Sequence, residues 1–156
     1  MAKAMLVEKI EAGTVIDHVP ATRAPMVLRL LGDPETRGYT VAVVMNAKSR
    51  RLGQKDIVKV EKLEISKAQV DRLAVIAPDA TVNRIRNYRV VGKTKVEPER
   101  RLTGILRCPS PTCISSRAGE PVKSKFELYT EKPLTYACVY CSRQLSANDF
   151  LTQLIW

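Results

Sequence analysis

Four cysteines stand in two close pairs: Cys108-x4-Cys113 in "CPSPTC" and Cys138-x2-Cys141 in "CVYC", with 24 residues between the pairs. Thiolates at this spacing form two knuckles, each offering two sulfurs to a tetrahedral cation, and Zn2+ is the metal such a set takes. With every ligand a cysteine the coordination is complete, so the expected role is structural, with no position open for a substrate. Two disulfides are the competing use of four cysteines. Residues 1–20 carry acids and a histidine inside any apolar stretch and do not read as a secretory signal, so a reducing compartment is expected, where disulfides are rare. A redox use of Cys138-x2-Cys141 lacks the βαβ context such a motif needs.

The second place where chemistry could reside is "GTVIDHVP", 13–20, where Asp17 precedes His18, the only histidine. An acid beside an imidazole invites a general-base reading. Side chains alternate across a strand, however, so a regular strand puts Asp17 and His18 on opposite faces. None of the seven glycines forms a P-loop or a G-x-G-x-x-G, no G-x-S-x-G occurs, and no cysteine lies before Cys108 to act as nucleophile. Catalysis is therefore not expected here. A lone histidine at a strand end is most often a hydrogen-bonded surface residue.

Composition sets the frame around these residues. A chain of 156 residues with 45% hydrophobic content holds one ordinary domain or two small ones. No apolar run approaches the ~20 residues of a membrane span. A soluble, cytoplasmic protein is expected, with no membrane partner. The formal charge of +10 calls for an anionic partner. That charge is uneven: residues 1–101 hold 20 Lys+Arg against 12 Asp+Glu, while residues 102–156 hold 6 against 4. Four thiolates on one Zn2+ cancel the surplus of the second part, so the basic character belongs to the first. Two domains are expected, 1–97 and 102–156, joined near "KVEPERR" where Pro98 interrupts any element.

The first domain reads as alternating strands and helices. "TVIDHV" is β-branched and stops at Pro20. "APMVLRLLG" has Pro25 near a helix start and Gly32 as its stop. "YTVAVVM" (39–45) and "KDIVKVE" (55–61) read as strands. "SKAQVDRLAVIAP" has Ser66 as cap, Gln69 at the capping-box position, and Pro78 at its end. "TVNRIRN" and "RVVGKTK" follow as strands around Asn87-Tyr88. The order βαββαβ plus one strand is the ferredoxin-like, split-βαβ arrangement of an α+β fold, with both helices on one face of an antiparallel sheet. The short segments after residue 102 suggest a small all-β domain of the zinc-ribbon kind.

On 55–61, Lys55, Ile57, Lys59 and Glu61 alternate with Asp56, Val58 and Val60, and the valines suit the helix-covered side. On 89–95, alternation sets Lys93 with Val91. The lysines then converge on the open face, where they could neutralise a polyphosphate or simply keep a solvated face soluble.

The whole run resembles the regulatory chain of aspartate carbamoyltransferase. The segments that carry the resemblance are "VEKIEAGTVIDHVP" (7–20), "GQKDIVKVE" (53–61), "APDATVNRIRNYRVVGK" (77–93) and the four-cysteine frame, in family order and spacing. The resemblance implies a first domain that binds effector nucleotides, CTP and ATP, and controls catalytic chains in pyrimidine biosynthesis without catalysing. By position Asp17 would accept from the ribose hydroxyls, Lys59 would bridge ribose and base, and Ile10 and Tyr88 would offer backbone groups to the base. Lys93 and His18 would meet the phosphates, with Lys55 near them, and Val15, Asn83, Ile85 and Val90 would line the pocket. His18 fits only where the strand ends at Asp17. The zinc domain would contact the catalytic chain and the first domain would pair with a second regulatory chain, a role the apolar residues of "YTVAVVM" suit. Two features depart from the family pattern: Lys9 stands where a small residue is common, and residues 46–54 are unusually basic.

The rival reading is a basic zinc-ribbon protein that binds nucleic acid, supported by a pI of about 9.7. Aromatic residues, at 5%, supply few stacking platforms, and the charge lies outside the zinc domain, so no nucleic-acid partner is expected. A small nucleotide hydrolase is the third reading, and turnover by the pure chain would mark it.

Overall fold

The structure, a computed structural model, describes residues 9–156. Residues 1–8, which include the start of the expected first domain and of the 7–20 segment, lie outside the described residues. The chain divides into two compact units, one ending at Glu97 and the other spanning Pro98–Trp156.

The first unit runs β1 (Gly13–Pro20), α1 (Ala24–Leu30), β2 (Val41–Ser49), β3 (Gly53–Glu61), α2 (Lys67–Ile76), β4 (Thr81–Arg86) and β5 (Arg89–Lys95). The sheet order is β2-β3-β1-β4-β5 with every neighbouring pair antiparallel, which is the expected ferredoxin-like arrangement extended by one edge strand. Pro25 lies in the first turn of α1, where a missing N–H costs nothing. Ser66 and Gln69 form a reciprocal capping box at α2, each side chain satisfying the other's backbone N–H. The helices pack on each other, and α1 packs on β3. Ile16, Val19, Val27, Leu31, Val58, Val60, Leu73 and Ile76 are almost wholly buried and make the core. The other face carries Lys55, Ile57 and Lys59 of β3, as the alternation of 55–61 predicts.

Among the described residues of the first unit, three register shifts break that alternation elsewhere. In β1 the register shifts between Ile16 and Val19, which pair with Val58 and Asp56, so Asp17 and His18 together oppose one residue of β3. His18 sits in the left-handed region at φ 57. Ile16 and Val19 are both buried, so Asp17 and His18 share the uncovered face instead of opposing each other. The strand continues to Pro20, and the bulge does what a strand end was expected to do.

In β2 the shift lies between Val44 and Ala47, with Asn46 at φ 60. Asp56 explains it. Fully buried, its carboxylate accepts from the Asn46 N–H and from the Ala24 N–H at the start of α1, each at 3.0 Å. One side chain thus satisfies both the bulge N–H and the buried Ala24 N–H, which as a helix-start donor would otherwise lack a partner. The pinned bulge lets β2 run to Ser49, so most of the basic 46–54 stretch is strand, and only its tip turns.

In β5 the shift places Val91 as the extra residue between Val90, paired with Ile85, and Gly92, paired with Arg84. Lys93 therefore shares its face with Val90, not with Val91 as alternation had it. Asn87 and Tyr88, both with positive φ, close a two-residue hairpin whose twist suits the strands. Gly13 is the one glycine whose identity close packing enforces. Its φ is +138, and a Cβ there would lie 2.2 Å from the Val60 carbonyl oxygen.

The second unit is a four-stranded antiparallel sheet, β6 (Arg101–Thr103), β7 (Lys125–Glu131), β8 (Leu134–Cys138) and β9 (Gln144–Leu145), in that order. A short helix, α3 (Ala147–Gln153), follows it, begun by the Asp149 carboxylate accepting from the Ser146 N–H at 3.0 Å. Phe126, Tyr136 and Phe150 are buried with Leu102, Leu106 and Leu145. The Tyr136 and Phe150 rings meet edge to face at 6.0 Å, and the Tyr136 hydroxyl donates to the Glu99 carbonyl at 2.7 Å. No helix among the described residues is long and apolar enough to cross a membrane.

Candidate functional site

The two cysteine pairs converge. All four Sγ atoms lie within 4.8 Å of one another, with Cys108 3.5 Å from Cys141 and Cys113 3.7 Å from Cys138. A tetrahedron of sulfurs about 2.3 Å from a central Zn2+ has edges of about 3.8 Å, so the spacing fits a bound ion. It is far beyond the ~2.05 Å of a disulfide, and all four cysteines are free. Each short contact joins one pair to the other, so a metal held there would tie the segment before β7 to the end of β8. The Ser110 and Ser115 amides face the sulfurs of Cys108 and Cys113, and the Tyr140 and Cys141 amides face that of Cys138. Such donors stabilise thiolates and fix their direction. Burial pushes the Cys108 thiol up to about 12. Burial acts likewise on Cys113, but the Ser115 hydroxyl and amide outweigh it and bring it down to about 7. Four sulfurs would complete a tetrahedral coordination and leave no position open for a substrate.

On the uncovered face of the first unit the register lines up a row across four strands. Val15 of β1 pairs with Lys59 of β3 and with Asn83 of β4, and Asn83 pairs with Lys93 of β5. Over this row lies a cavity of about 530 Å3 lined by Lys9, Ile10, Val15, Lys59, Asn83, Ile85, Tyr88, Arg89, Val90 and Lys93. Its size suits a small organic ligand. Ile10 enters because the Tyr88 N–H donates to the Glu11 carbonyl at 2.9 Å, which ties the segment before β1 to the β4–β5 turn. Eight of the residues that the resemblance singles out are brought together here. Lys9 and Arg89 also line the cavity; Lys9 stood out in the sequence only as a departure from the family pattern, and Arg89 only by adjoining Tyr88 and Val90.

Asp17, His18 and Lys55 are not in the cavity wall. They form a polar shelf further along the same strands. Lys55 Nζ lies 2.9 Å from Asp17 Oδ1. Burial, the largest influence on the Asp17 carboxyl, raises it; the Lys55 ammonium and the His18 N–H, which donates at 2.6 Å, outweigh that and hold it below its usual range. The His18 imidazole does not meet Asp17. Its Nδ1 lies 3.4 Å from the Thr81 hydroxyl, and Thr81 pairs with Asp17 across the β1–β4 ladder. Nothing in the sequence pointed to Thr81. Burial lowers the imidazole most; Asp17 opposes this, and Lys55, Arg51 and Lys93 add to the lowering. Asp17 and His18 thus stand side by side without forming a base pair for catalysis. An apolar-floored cavity with lysines at both ends, beside a polar shelf, is an arrangement for holding an anion with an organic body.

Comparison with known proteins assigns each unit to a family domain. Residues 5–97 match the family model described as the aspartate carbamoyltransferase regulatory chain, allosteric domain. Residues 100–151 match that of the regulatory chain, metal binding domain. The regulatory chain of Thermofilum pendens is 49% identical over 155 residues, covering 99% of this chain and 98% of the relative. That of Korarchaeum cryptofilum is 48% identical, with 99% and 98% covered, and that of Hyperthermus butylicus 48% identical, with 96% and 94% covered. An allosteric unit with a lysine-flanked cavity, followed by a unit built on a four-cysteine metal centre, places this chain in the aspartate carbamoyltransferase regulatory chain family, as a regulatory and not a catalytic chain.

Proposed function

We propose that the first unit binds nucleoside triphosphates, CTP and ATP, and that their binding controls the catalytic chains of aspartate carbamoyltransferase. The observation that carries this is the Lys59–Val15–Asn83–Lys93 row under the cavity. Base and ribose would occupy the cavity against Ile10, Ile85, Tyr88 and Val90. Asp17 would take the ribose hydroxyls, and His18, Lys55 and Lys93 the phosphates. In the second unit Cys108, Cys113, Cys138 and Cys141 would hold one structural Zn2+, and this unit would grip the catalytic chain. The first unit would pair with a second regulatory chain through β2, an edge strand whose Met45 is exposed. The complex would work in the cytoplasm.

The physical logic is linkage. An effector that prefers one quaternary state shifts the equilibrium by its differential affinity, typically ~1–3 kcal/mol. The deciding experiment reconstitutes the chain with the catalytic chain of its own cell. Carbamoyl aspartate formation should respond to CTP or ATP in the complex and not in the catalytic chain alone. An assembled complex indifferent to both nucleotides would sink the reading.

Protonation supplies a second expected result. Free His18 titrates below its ordinary value, chiefly because it is buried. A bound polyphosphate favours the imidazolium and raises that value. Between the two values the complex takes up a proton, so affinity rises as pH falls through that window. The nucleotide's own phosphate releases a proton on binding, the opposite sign, so the measure is the difference between wild type and His18→Ala. Calorimetry in buffers of different ionisation enthalpy should show less proton uptake in the mutant. Equal uptake would remove His18 from the phosphate contacts.

A further inference from the structure

The basic tip of the β2–β3 hairpin has no part in the metal centre or the cavity wall. Its placement is nevertheless fixed. Arg51 Nη2 donates to the Asp79 carbonyl at 2.7 Å. Asp79 lies two residues before Thr81, whose hydroxyl meets the His18 imidazole and whose backbone pairs with Asp17 and Lys95. The hairpin tip is thus tied to the corner between α2 and β4, on the side where Asp17, His18 and Lys55 form the shelf. The bond uses one of the guanidinium's five N–H donors, and its acceptor is a carbonyl, so it leaves the charge unneutralised. Lys93 joins the two regions. It lines the cavity and also acts on His18, as Arg51 and Lys55 do. Three cations therefore act on one imidazole at the edge of a cavity sized for a base and a ribose.

Such a shelf has a chemical preference. On the nucleotide-binding reading, a monophosphate held in the cavity would leave its single phosphate near Lys93, and the outer phosphates of a triphosphate would extend past Lys93 toward the shelf. Guanidinium forks match phosphate oxygens in geometry and charge. Resting on the nucleotide-binding reading above, we propose that Arg51 contacts the outer phosphates and makes this site select a nucleoside triphosphate over the corresponding monophosphate.

The test uses the full chain and calorimetry with CTP and CMP. Arg51→Gln keeps a side-chain donor for the Asp79 carbonyl and removes the charge. Arg50→Gln, in the same turn, removes an equal charge from an exposed neighbour. Arg51→Gln should weaken CTP binding by about tenfold or more, the range of a charge-assisted contact, and leave CMP binding unchanged. Arg50→Gln should change CTP binding little. Equal losses in the two variants would mean a general field and overturn the assignment, as would equal losses for CTP and CMP. If wild type binds CTP and Lys59→Ala weakens it while Arg51→Gln does not, this inference alone falls. If wild type binds neither nucleotide, the reading beneath it falls as well.

Discussion

Cys138→Ser, or stripping the metal with a mercurial and a chelator, should unfold residues 102–156 and leave the sheet β1–β5 intact. A domain this small rarely holds together on its core alone. Phe126, Tyr136 and Phe150 give this one a real core. Even so, its β6–β9 sheet is short, and the segment between β6 and β7 would be held by the metal through Cys108 and Cys113. Structural zinc contributes an apparent ~10–16 kcal/mol in small peptides, more than the net stability of such a domain. Removing the Cys138 sulfur also leaves only three ligands, Cys108 and Cys113 buried and Cys141 exposed, for a cation that takes four. Hydrogen exchange on the metal-free chain should show lost protection in β7 and β8 and retained protection in β1, β3 and β4. In the assembled complex, sedimentation should show release of the catalytic chain while nucleotide binding survives. A second unit that keeps its protection after full metal loss would show that its core suffices. Assembly retained after full metal loss would show that the grip on the catalytic chain lies elsewhere.

Replacing Lys59 or Lys93 by alanine should weaken CTP and ATP binding by about 10- to 150-fold each, the equivalent of roughly 1.5–3 kcal/mol for a charge-assisted contact. The two lysines close opposite ends of the row through Val15 and Asn83, so they address different parts of one ligand. Being separated by two strands, their losses should add nearly independently in the double mutant. Both side chains are on the uncovered face, so the fold should tolerate the changes. Unchanged affinity in both single mutants would empty the assigned pocket. A loss confined to Lys93→Ala would leave only an anion site and remove the ribose and base from the cavity.

Much of this was legible before any coordinates. The cysteine spacing implied one tetrahedral centre, and the sulfurs do gather within 4.8 Å. Caps, prolines and apolar periods marked β1 to β5 with α1 and α2 in order. Short-range chemistry decides such features: a knuckle, a cap and a strand face each depend on residues a few positions apart. The face carrying Lys55 and Lys59 followed from the same rule.

What the rule of alternation could not supply was the register beyond each irregularity. A bulge costs one residue of phase and reverses every later side chain, and nothing local announces it. Asp17 and His18 come to one face because Ile16 and Val19 are both needed in the core. Lys93 joins Val90 because Val91 is the residue left over opposite β4. Asn46 bends because the buried Asp56 carboxylate binds its N–H while also starting α1. Sequence by itself determined which cysteines gather, the order of elements and which domain carries the charge, because those depend on residue type and near spacing. Tertiary structure alone decided which side chains share the cavity and which share the shelf. Those placements are set where distant strands and a helix end compete for one buried carboxylate and one continuous core.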